Sequence, residues 1–478
     1  MRRSDPREAA PGRRSPAWTF AIVSIALFMV VLDNLVVTNA LPSIRADLGA
    51  SIQGLEWTVN AYTLSYAVLL LTGAALGDRF GRRRMFVLGL GLFTLASAAA
   101  ALAPTTGALI GARAVQGIGA AVVTPLTLTL LAEAFPPGRR GLAIGAWSGI
   151  SGLGVALGPL VGGAVVEGIS WHWIFWLNVP IGLALLPLAA RRLAESHGPA
   201  RALDLRGLTL VSAGLLGVVY GIVRGAELGW TSTTVLASLT AGAALVAAFV
   251  AWERRAPEPM LPLRFFRSRS FAAVNGVGLA MYFGVFGSIF LLAQFFQVTQ
   301  GYGPLEAGLR TLPWTAMPMF VSPLAGVLAE RIGPRPPMVA GLALQAGAIA
   351  WLASISSPDL PYAQLVAPFA MAGIGMALVF APAATAVLAS VRPEEAGQAS
   401  GATNAIRELG GVLGVAVLVT VFAHTGSYAS PEAYTDGMTS AVWVGAAVLA
   451  AGALAALLVP GRARTAIGLR ALPEGQPA

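Results

Sequence analysis

The stretch Gly73-Ala-Ala-Leu-Gly-Asp78-Arg79-Phe-Gly81-Arg82-Arg83-Arg84 joins two long apolar runs with almost no loop between them. Its last seven residues hold five charges, of which four are arginine. Because arginine collects on the cytoplasmic side of membrane proteins, a short basic turn between apolar runs indicates a cytoplasmic hairpin between two membrane helices. Gly81 can supply the tight turn that such a hairpin needs.

The composition of the whole chain agrees with a membrane protein. Of its 478 residues, 56% are hydrophobic and 11% are charged, whereas about a quarter of the residues of a soluble domain are charged. We therefore expect a polytopic membrane protein surrounded by the lipid bilayer. The net charge of +9 does not indicate a nucleic-acid partner, because the arginines lie between the apolar runs.

The chain lacks residues that several functions require. It has no cysteine and no lysine, and its three histidines, His172, His197 and His424, lie far apart. These absences exclude disulfides, thiol catalysis and a cysteine or histidine metal site, and also a phosphate-binding loop with its lysine. We therefore expect no metal, no cofactor and no enzymatic activity, and we do not expect ATP to be the energy source within this chain.

Fourteen apolar segments are long enough to cross a bilayer, which takes about 20 residues. The segments are 18–41, 57–77, 85–103, 106–132, 141–166, 172–190, 206–226, 232–252, 271–299, 305–328, 336–355, 362–390, 399–423 and 438–459. If the N-terminus is inside, every inner connection contains arginine, and the outer side holds only Arg45, Arg224 and Arg310. We therefore expect a multi-pass protein of the plasma (inner) membrane with both termini in the cytoplasm.

The sequence also repeats itself at long range. Gly117-Ile-Gly119 returns as Gly373-Ile-Gly375, and Leu76-Gly-Asp78-Arg79-Phe-Gly81 returns in altered form as Leu328-Ala-Glu330-Arg331-Ile-Gly333. Repeated halves are typical of transporters, whose substrate site lies between the halves near the middle of the membrane. The expected parts are a cytoplasmic tail (1–16), a six-helix bundle (17–192), a two-helix insert (193–252), a cytoplasmic linker (253–270), a second six-helix bundle (271–460) and a cytoplasmic tail (461–478).

Four motifs in this order resemble one family over nearly the whole chain. Besides the hairpin stretch, they are Leu32-Asp33-Asn34-Leu35-Val36-Val37-Thr38-Asn39-Ala40-Leu41-Pro42, Arg113-Ala-Val-Gln116-Gly117-Ile-Gly119, and Gly145-x8-Gly154-x3-Gly158-Pro159-x2-Gly162-Gly163. The chain resembles the fourteen-span drug:proton antiporters of the major facilitator superfamily, although Ala74 stands where that family usually has glycine. The resemblance implies an all-α fold of two six-helix bundles with two extra central helices.

Asp33 and Arg113 are the charges that we expect to lie deepest in the first half. At a rise of 1.5 Å per residue, both fall roughly 20 Å from the inner face of a membrane core about 30 Å thick. Charges within the membrane are costly and mark ion or substrate paths, and a carboxylate can exchange a proton whereas arginine cannot. We predict that Asp33 carries the coupling proton and that Arg113 tunes it, as the resemblance also implies; the alternative is a structural ion pair.

The charged hairpin has candidate partners elsewhere in the chain. Asp78 can cap the N-terminus of a second-half helix in one conformation, and Arg82 can pair with Glu133 at the inner end of the fourth span. The repeated copy carries Glu330 and Arg331. We predict that these groups, with Arg79, form a conformational latch weighted to the first half; the alternative is a topological anchor.

The fifth span carries glycines at a spacing that suits close helix packing. The motif residues there are Gly145, Gly154, Gly158, Pro159, Gly162 and Gly163. Pro159 can bend the helix, because it removes a backbone hydrogen bond. The resemblance implies that the glycine face closes one side of the cavity against the second half.

A substrate cavity is expected to be mostly apolar with a few polar groups. The candidates by position are Asn34, Asn60, Tyr62, Gln116, Gln294, Gln297, Trp314 and Met317. Arg407 and Glu408 lie just inside the thirteenth predicted span, spaced to pair with loop groups; we expect them to be structural first, and a functional role is the alternative. The second half is therefore expected to lack a deeply placed acid.

These observations favour proton-coupled export of a lipophilic or amphipathic drug by alternating access. The expected partners are the drug-like substrate and protons, and the protein is expected to be a monomer. One alternative is an exporter of one specific metabolite or self-made antibiotic. Another is a non-transporting receptor on the same fold, which buried charges such as Asp33 and Arg113 disfavour.

Overall fold

The computed structural model describes residues 15–197, 204–391 and 396–461, and every regular element in these ranges is helical. The α-helices are α1 (Pro16–Leu48), α2 (Ile52–Phe80), α3 (Arg82–Ala101), α4 (Thr106–Ala134), α5 (Pro137–Gly168), α6 (Trp173–Trp176), α7 (Asn178–Arg192), α8 (Leu205–Leu228), α9 (Thr233–Glu253), α10 (Arg269–Gln294), α11 (Pro304–Thr315), α12 (Met317–Ile332), α13 (Arg335–Ile355), α14 (Tyr362–Ala389), α15 (Ala396–Thr425) and α16 (Pro431–Ala456). A short 3-10 helix (Leu263–Arg267) precedes α10, and a π-helical turn (Phe295–Thr299) extends it.

The helices confirm a polytopic all-α membrane protein. In the described part of the chain, 12 helices are long and apolar enough to cross a bilayer, and bent α2 raises the number to 13. The remaining predicted segment, 141–166, lies on α5. Among the described residues of α5, the apolar helix is Leu157–Gly168, which is too short to be counted as a membrane span. The figure of fourteen spans is therefore not confirmed.

Local chemistry explains where several helices begin and end. Side-chain oxygens of serine or threonine accept the hydrogen bond of an N–H group three residues later at the start of α2, α4, α9, α10 and α16, as N-cap residues do. Gly81 ends α2 with φ 102° and Gly333 ends α12 with φ 89°. Because this conformation favours glycine, the two copies of the hairpin motif use glycine for the same physical reason.

Helices α1–α7 and α10–α16 each pack mainly among themselves. In the first group α2 and α3 pack on α4, and α1 packs on α5; in the second, α10 packs on α15 and α13 packs on α14 and α16. The groups meet where α2 lies on α15, α5 on α11 and α1 on α10. This arrangement fits two halves joined along a central seam, while the predicted limits of the six parts of the chain remain predictions.

The insert α8–α9 lies beside the seam. Helix α8 contacts both α2 and α15. A small apolar cluster joins these three helices, with Val68 from α2, Val219 and Val223 from α8, and Val412 and Ala416 from α15. The insert therefore covers one flank of the junction between the halves.

The helix bundle has two opposite sides, which we call the terminal side and the far side. The terminal side is the one at which α1 begins and α2 turns into α3. The far side is the opposite one, where α1 ends and α11 begins.

Candidate functional site

Asp33 of α1 and Arg113 of α4 form a fully buried ion pair. Asp33 is 1% exposed and Arg113 is 0% exposed, and Arg113 Nη1 donates to Asp33 Oδ2 at 2.5 Å. Gln116 bridges the pair, since its Nε2 donates to Asp33 Oδ1 at 2.8 Å and its Oε1 accepts from Arg113 Nη1 at 2.9 Å. The two charges that were expected at the same depth are thus in direct contact.

Helix α2 holds the guanidinium of Arg113 from another direction. Arg113 Nε donates to Thr58 O at 3.3 Å, and its Cζ lies 4.1 Å from the centre of the Tyr62 ring. The Tyr62 hydroxyl donates to Val30 O on α1 at 3.4 Å. Within the described ranges, Arg113 Nη2 has no hydrogen-bond partner, so the pair uses only part of the donor capacity of the cation.

Asn178 is a third donor to Asp33, and the sequence predictions missed it. Its Nδ2 donates to Asp33 Oδ1 at 2.7 Å and to Ser97 Oγ at 3.0 Å. Ser97 Oγ in turn donates to Phe175 O at 2.9 Å. The available signal was a polar residue inside an otherwise apolar span, which is costly unless it has a partner.

The chemistry of this cluster is that of a carboxylate with three convergent donors. Arg113, Gln116 and Asn178 all donate to Asp33. A proton added to Asp33 removes the charge that balances Arg113. The cluster can therefore exist as a closed ion pair or as a neutral acid beside a free cation.

The hairpin stretch forms a second charged group, on the terminal side. Arg82 donates to Asp78 Oδ1 from Nε at 2.8 Å and from Nη2 at 2.6 Å, and its Nη1 also donates to Glu133 Oε1. The expected Arg82–Glu133 pair is present. Among the residues that the structure describes, the hydrogen bonds of Asp78 lie within its own half, and its predicted cap on a second-half helix remains a prediction.

An unexpected carboxylate completes this group. Glu195, which follows α7, accepts from Arg83 N at 2.9 Å and from Arg84 N at 3.3 Å. Arg82 N donates to Ser196 O at 2.9 Å. Because the first N–H groups of a helix lack partners within it, Glu195 caps α3 and ties the hairpin to the end of α7.

The other residues predicted to form the latch take less part in the contacts around the hairpin. Arg79 is exposed, with its Cζ 5.4 Å from the centre of the Phe80 ring. Arg331 is exposed on α12. The side chain of Glu330 lies outside the described part of the structure, so its predicted role remains a prediction.

The glycines of α5 face two different neighbouring helices, α1 and α11. A Cβ built on Gly158 would lie 2.6 Å from Leu35 Cβ, and one on Gly162 would lie 2.8 Å from Val36 O, so these residues face α1. Gly154 likewise faces α1, near Val31. The expectation that this face closes on the second half is wrong, because α1 of the same half occupies it.

The contact with the second half is made by the adjacent face of α5. A Cβ on Gly163 would meet the backbone of Pro304 and Leu305 in α11, and a Cβ on Gly308 of α11 would meet Pro159 O. Pro159 and Gly163 therefore form the seam that was expected of the whole motif. The surroundings of Gly145 lie outside the described residues.

Further contacts close the far side between the halves. Asn39 Nδ2 donates to Pro159 O at 2.7 Å, and Gln297 Nε2 donates to Asn39 O at 3.0 Å. Glu167 Oε2 accepts from Leu305 N at 3.0 Å, which caps α11 from the first half. Gln297, a predicted cavity residue, thus bridges the halves in this conformation.

The remaining cavity candidates lie at several places. Tyr62 and Gln116 belong to the Asp33 cluster, and Gln294 lies within the second half, where its Oε1 accepts from Tyr428 Oη at 2.5 Å. Asn34 is half-buried. Asn60 is buried and donates to Glu56 Oε1 at 3.4 Å. Trp314 packs near Phe369, and Met317 lies against Gly373 of α14. Their roles as substrate contacts remain predictions.

The structure places two further acids inside helices. Glu56 lies in α2 and is 1% exposed. Glu408 was expected at a helix end, but α15 begins at Ala396, so Glu408 lies about 18 Å along the helix at 1.5 Å per residue. The second half therefore does contain a deeply placed acid, and Arg407 beside it is 8% exposed.

Comparison with known proteins places this architecture in one family. A profile of the Major Facilitator Superfamily matches residues 23–415. The multidrug resistance protein Stp of Mycobacterium tuberculosis is 38% identical over 412 residues, covering 86% of this chain and 76% of Stp. The tetracenomycin C resistance and export protein of Streptomyces glaucescens is 34% identical over 430 residues, covering 89% of this chain and 80% of that protein.

A solved structure supports the same fold. A bacterial homologue of the human lysosomal transporter Spinster, in an inward-facing and unoccupied conformation, superposes with a TM-score of 0.66 at 18% identity, covering 93% of this chain and 96% of that one. The helices and the paired halves thus define a membrane transporter fold. The chain belongs to the Major Facilitator Superfamily.

Proposed function

We propose that the protein is a proton-coupled exporter of lipophilic or amphipathic drugs that works by alternating access. The observation that carries the proposal is the ion pair between Asp33 and Arg113, buried at 1% and 0% exposure in the membrane core. A buried charge is costly and marks an ion path by default. The names of the relatives, which describe drug resistance and export, support the class of substrate.

The contacts of α1 supply a route from the proton site to the seam. Asp33 and Asn39 lie on α1, and Asn39 binds both Pro159 O and Gln297 of the second half. The glycine face of α5 lies directly against α1. Release of Arg113 on protonation of Asp33 lets α1 shift, and this shift loosens the far side.

The finer features of the proposal concern topology and assembly. We propose fourteen spans, both termini in the cytoplasm, location in the plasma membrane and function as a monomer, without a bound cofactor. The arginine distribution between the apolar segments supports this orientation. Cysteine accessibility from each side tests it, because the chain has no native cysteine.

The direct test of function is transport by the purified protein in liposomes. An imposed pH gradient should drive a fluorescent lipophilic drug against its concentration gradient, and a protonophore should stop this movement. A panel of chemically different drugs measures the breadth of substrates. Absence of pH-driven movement for every compound would contradict the proposal.

A second candidate is export of one specific antibiotic. The relatives favour it to some extent, because several are named for a single compound, such as the tetracenomycin C resistance and export protein and the cephamycin export protein CmcT. Transport of one compound only, out of the panel, would support this reading. Transport of several unrelated compounds would support the broader one.

The latch hypothesis leads to a prediction for Asp78→Asn. The substitution removes the charge that holds Arg82, and both side chains are partly exposed, at 26% and 13%. Stability should change by less than about 1 kcal/mol, as for surface ion pairs, whereas transport should fall about tenfold, a barrier change of about 1.4 kcal/mol. The transport rate and the ratio of the two conformations, measured by spin-label distances, check both effects.

A matched pair on the far side provides the control for Asp78→Asn. Arg310 Nη2 binds Glu306 Oε1 at 2.5 Å, and this pair has the same spacing of four residues. Glu306→Gln should leave transport nearly unchanged. If Asp78→Asn also leaves the rate and the conformational ratio unchanged, the hairpin is a topological anchor and the latch hypothesis is wrong.

Asn178 should position the proton-carrying group. Asn178→Leu removes a donor from Asp33, and hydrogen bonds to charged groups contribute about 1.5–3 kcal/mol, so we expect pH-driven transport to fall at least about tenfold. Ser97→Ala is the control, because it removes the other partner of Asn178 and leaves Asp33 with its donors. Equal losses in the two variants would show that Asn178 acts only through local packing.

A further inference from the structure

Glu408 is a half-buried acid inside a membrane-spanning helix, and the Asp33 cluster does not use it. It lies on α15, which packs against α2 of the other half and α10 of its own half. Its carboxyl group interacts electrostatically with the hydroxyls of Tyr66 on α2 and Tyr282 on α10. Its Oε2 is buried and, among the described residues, has no hydrogen-bond partner.

Aromatic rings from both halves lie near this acid, and a Cβ built on Gly411, three residues further along α15, would lie 3.5 Å from the Phe286 ring. Tyr282 stacks on Phe286, with ring centres 5.0 Å apart and an interplanar angle of 18°, and it meets Phe380 of α14 edge-on at 5.9 Å. On the opposite side, Tyr66 is stacked on Tyr62 with ring centres 6.1 Å apart. The acid therefore lies at the seam between two groups of rings.

Arg407 does not neutralise Glu408 directly. Within the described ranges, no basic nitrogen lies within 4.0 Å of the Glu408 carboxylate. The Arg407 side chain packs instead against Gly278 of α10, and its Cζ lies 5.5 Å from the centre of the Phe380 ring. Arg407 thus faces the interior of the second half, while Glu408 faces the tyrosines of both halves.

We propose that Glu408 is the counter-charge for an organic cation bound between the halves, with Tyr66, Tyr282, Phe286 and Phe380 as its aromatic walls. The proposal rests on the exporter function proposed above and specifies its substrate class. Aromatic faces attract cations, and a carboxylate oxygen that is buried without a hydrogen-bond partner is costly until a cation neutralises it. A lipophilic cation satisfies both requirements.

The position of this site suggests how a cation and a proton affect each other. Tyr62 lies under Arg113, with its ring centre 4.1 Å from Cζ, and is stacked on Tyr66, which faces Glu408. A cation beside Tyr66 and the Asp33–Arg113 pair thus contact the same pair of rings on α2. Binding at one site therefore alters the surroundings of the other.

Two isosteric ions of opposite charge test the proposal by direct binding. The purified full-length protein in lipid nanodiscs is titrated with radiolabelled tetraphenylphosphonium and, separately, with tetraphenylborate. We expect the phosphonium to bind and the borate to bind much more weakly. Glu408→Gln should weaken phosphonium binding at least about 30-fold, because losing one partner of a buried charge pair has large effects, and Glu408→Asp should restore part of it.

Two further variants keep the test specific. Glu432→Gln removes an exposed acid of the same half at the start of α16, and it should leave phosphonium binding unchanged. Phe380→Leu removes one aromatic wall without touching the acid, and it should weaken binding about threefold. Thermal unfolding of each variant shows that the protein remains folded.

Unchanged phosphonium binding in Glu408→Gln, or preferred binding of the borate, would overturn the proposal. Efflux measured in parallel separates it from the exporter function. The wild-type protein is assayed for export of an uncharged lipophilic dye in a pH gradient. If the wild-type protein exports that dye but binds no phosphonium, the exporter function stands and the cation site is wrong.

Discussion

Replacing Asp33 with asparagine is expected to abolish pH-driven efflux. Asparagine can accept hydrogen bonds from Arg113 and Gln116 but cannot take up and release a proton. The proton that drives each cycle would then have lost its proposed carrier. Transport in liposomes under an imposed pH gradient should fall to the level of empty vesicles, with the same amount of inserted protein.

A second measurement separates coupling from folding. Exchange of labelled for unlabelled substrate across the membrane needs no net proton movement, so Asp33→Asn should retain it. The variant should also be less stable, because it leaves Arg113 buried without its counter-charge, which costs about 3–5 kcal/mol.

The double variant Asp33→Asn with Arg113→Gln is the matched control. It removes both charges, so it should recover stability while remaining unable to couple transport to protons. Undiminished pH-driven efflux in Asp33→Asn would show that the buried pair is structural and that the proton is carried elsewhere.

Replacing Gly163 with leucine is the change with the second largest expected effect. A Cβ at this position would meet the backbone of Pro304 and Leu305, and backbone atoms cannot move aside as a flexible side chain can. The halves could then no longer close on the far side, so the alternating cycle would stop. We expect transport below detection, with a protein that still folds in the conformation open to that side.

Distances across the far side measure this effect directly. Cysteines introduced at the exposed positions Leu102 and Ala429 can carry spin labels, and the chain has no native cysteine to interfere. Gly163→Leu should shift the population to the longer distance. Gly168→Leu is the control on the same helix, because a Cβ at Gly168 has no neighbour within 4 Å. An unchanged distance distribution in Gly163→Leu would contradict the proposed seam.

Depth along a helix could be predicted from sequence, and it identified the central ion pair. Asp33 and Arg113 were placed at equal depth by counting residues from the ends of two antiparallel helices, and the structure brings them into contact at 2.5 Å. The charged hairpin was likewise predicted, because Arg82 and Glu133 both lie at helix ends on one side.

The direction in which a residue points around its helix was harder to predict. Each residue turns the helix by about 100°, so Gly158 and Gly163 face different neighbours although they share one motif. Asn178 was missed because its partner Asp33 lies in a distant part of the chain. Glu408 was misplaced although the predicted span began at residue 399, and nine residues at 1.5 Å per residue already put it about 14 Å along the helix.

The position of α8 against α2 and α15 has a consequence for how a lipophilic compound reaches the protein. Val219 and Val223 of α8 are buried against that junction, and the Thr420 hydroxyl of α15 donates to Ile222 O of α8 at 3.3 Å. This flank is therefore shielded from the acyl chains of the bilayer. A compound dissolved in the lipid leaflet therefore meets α8 first on this flank, so the insert restricts lateral access from this side.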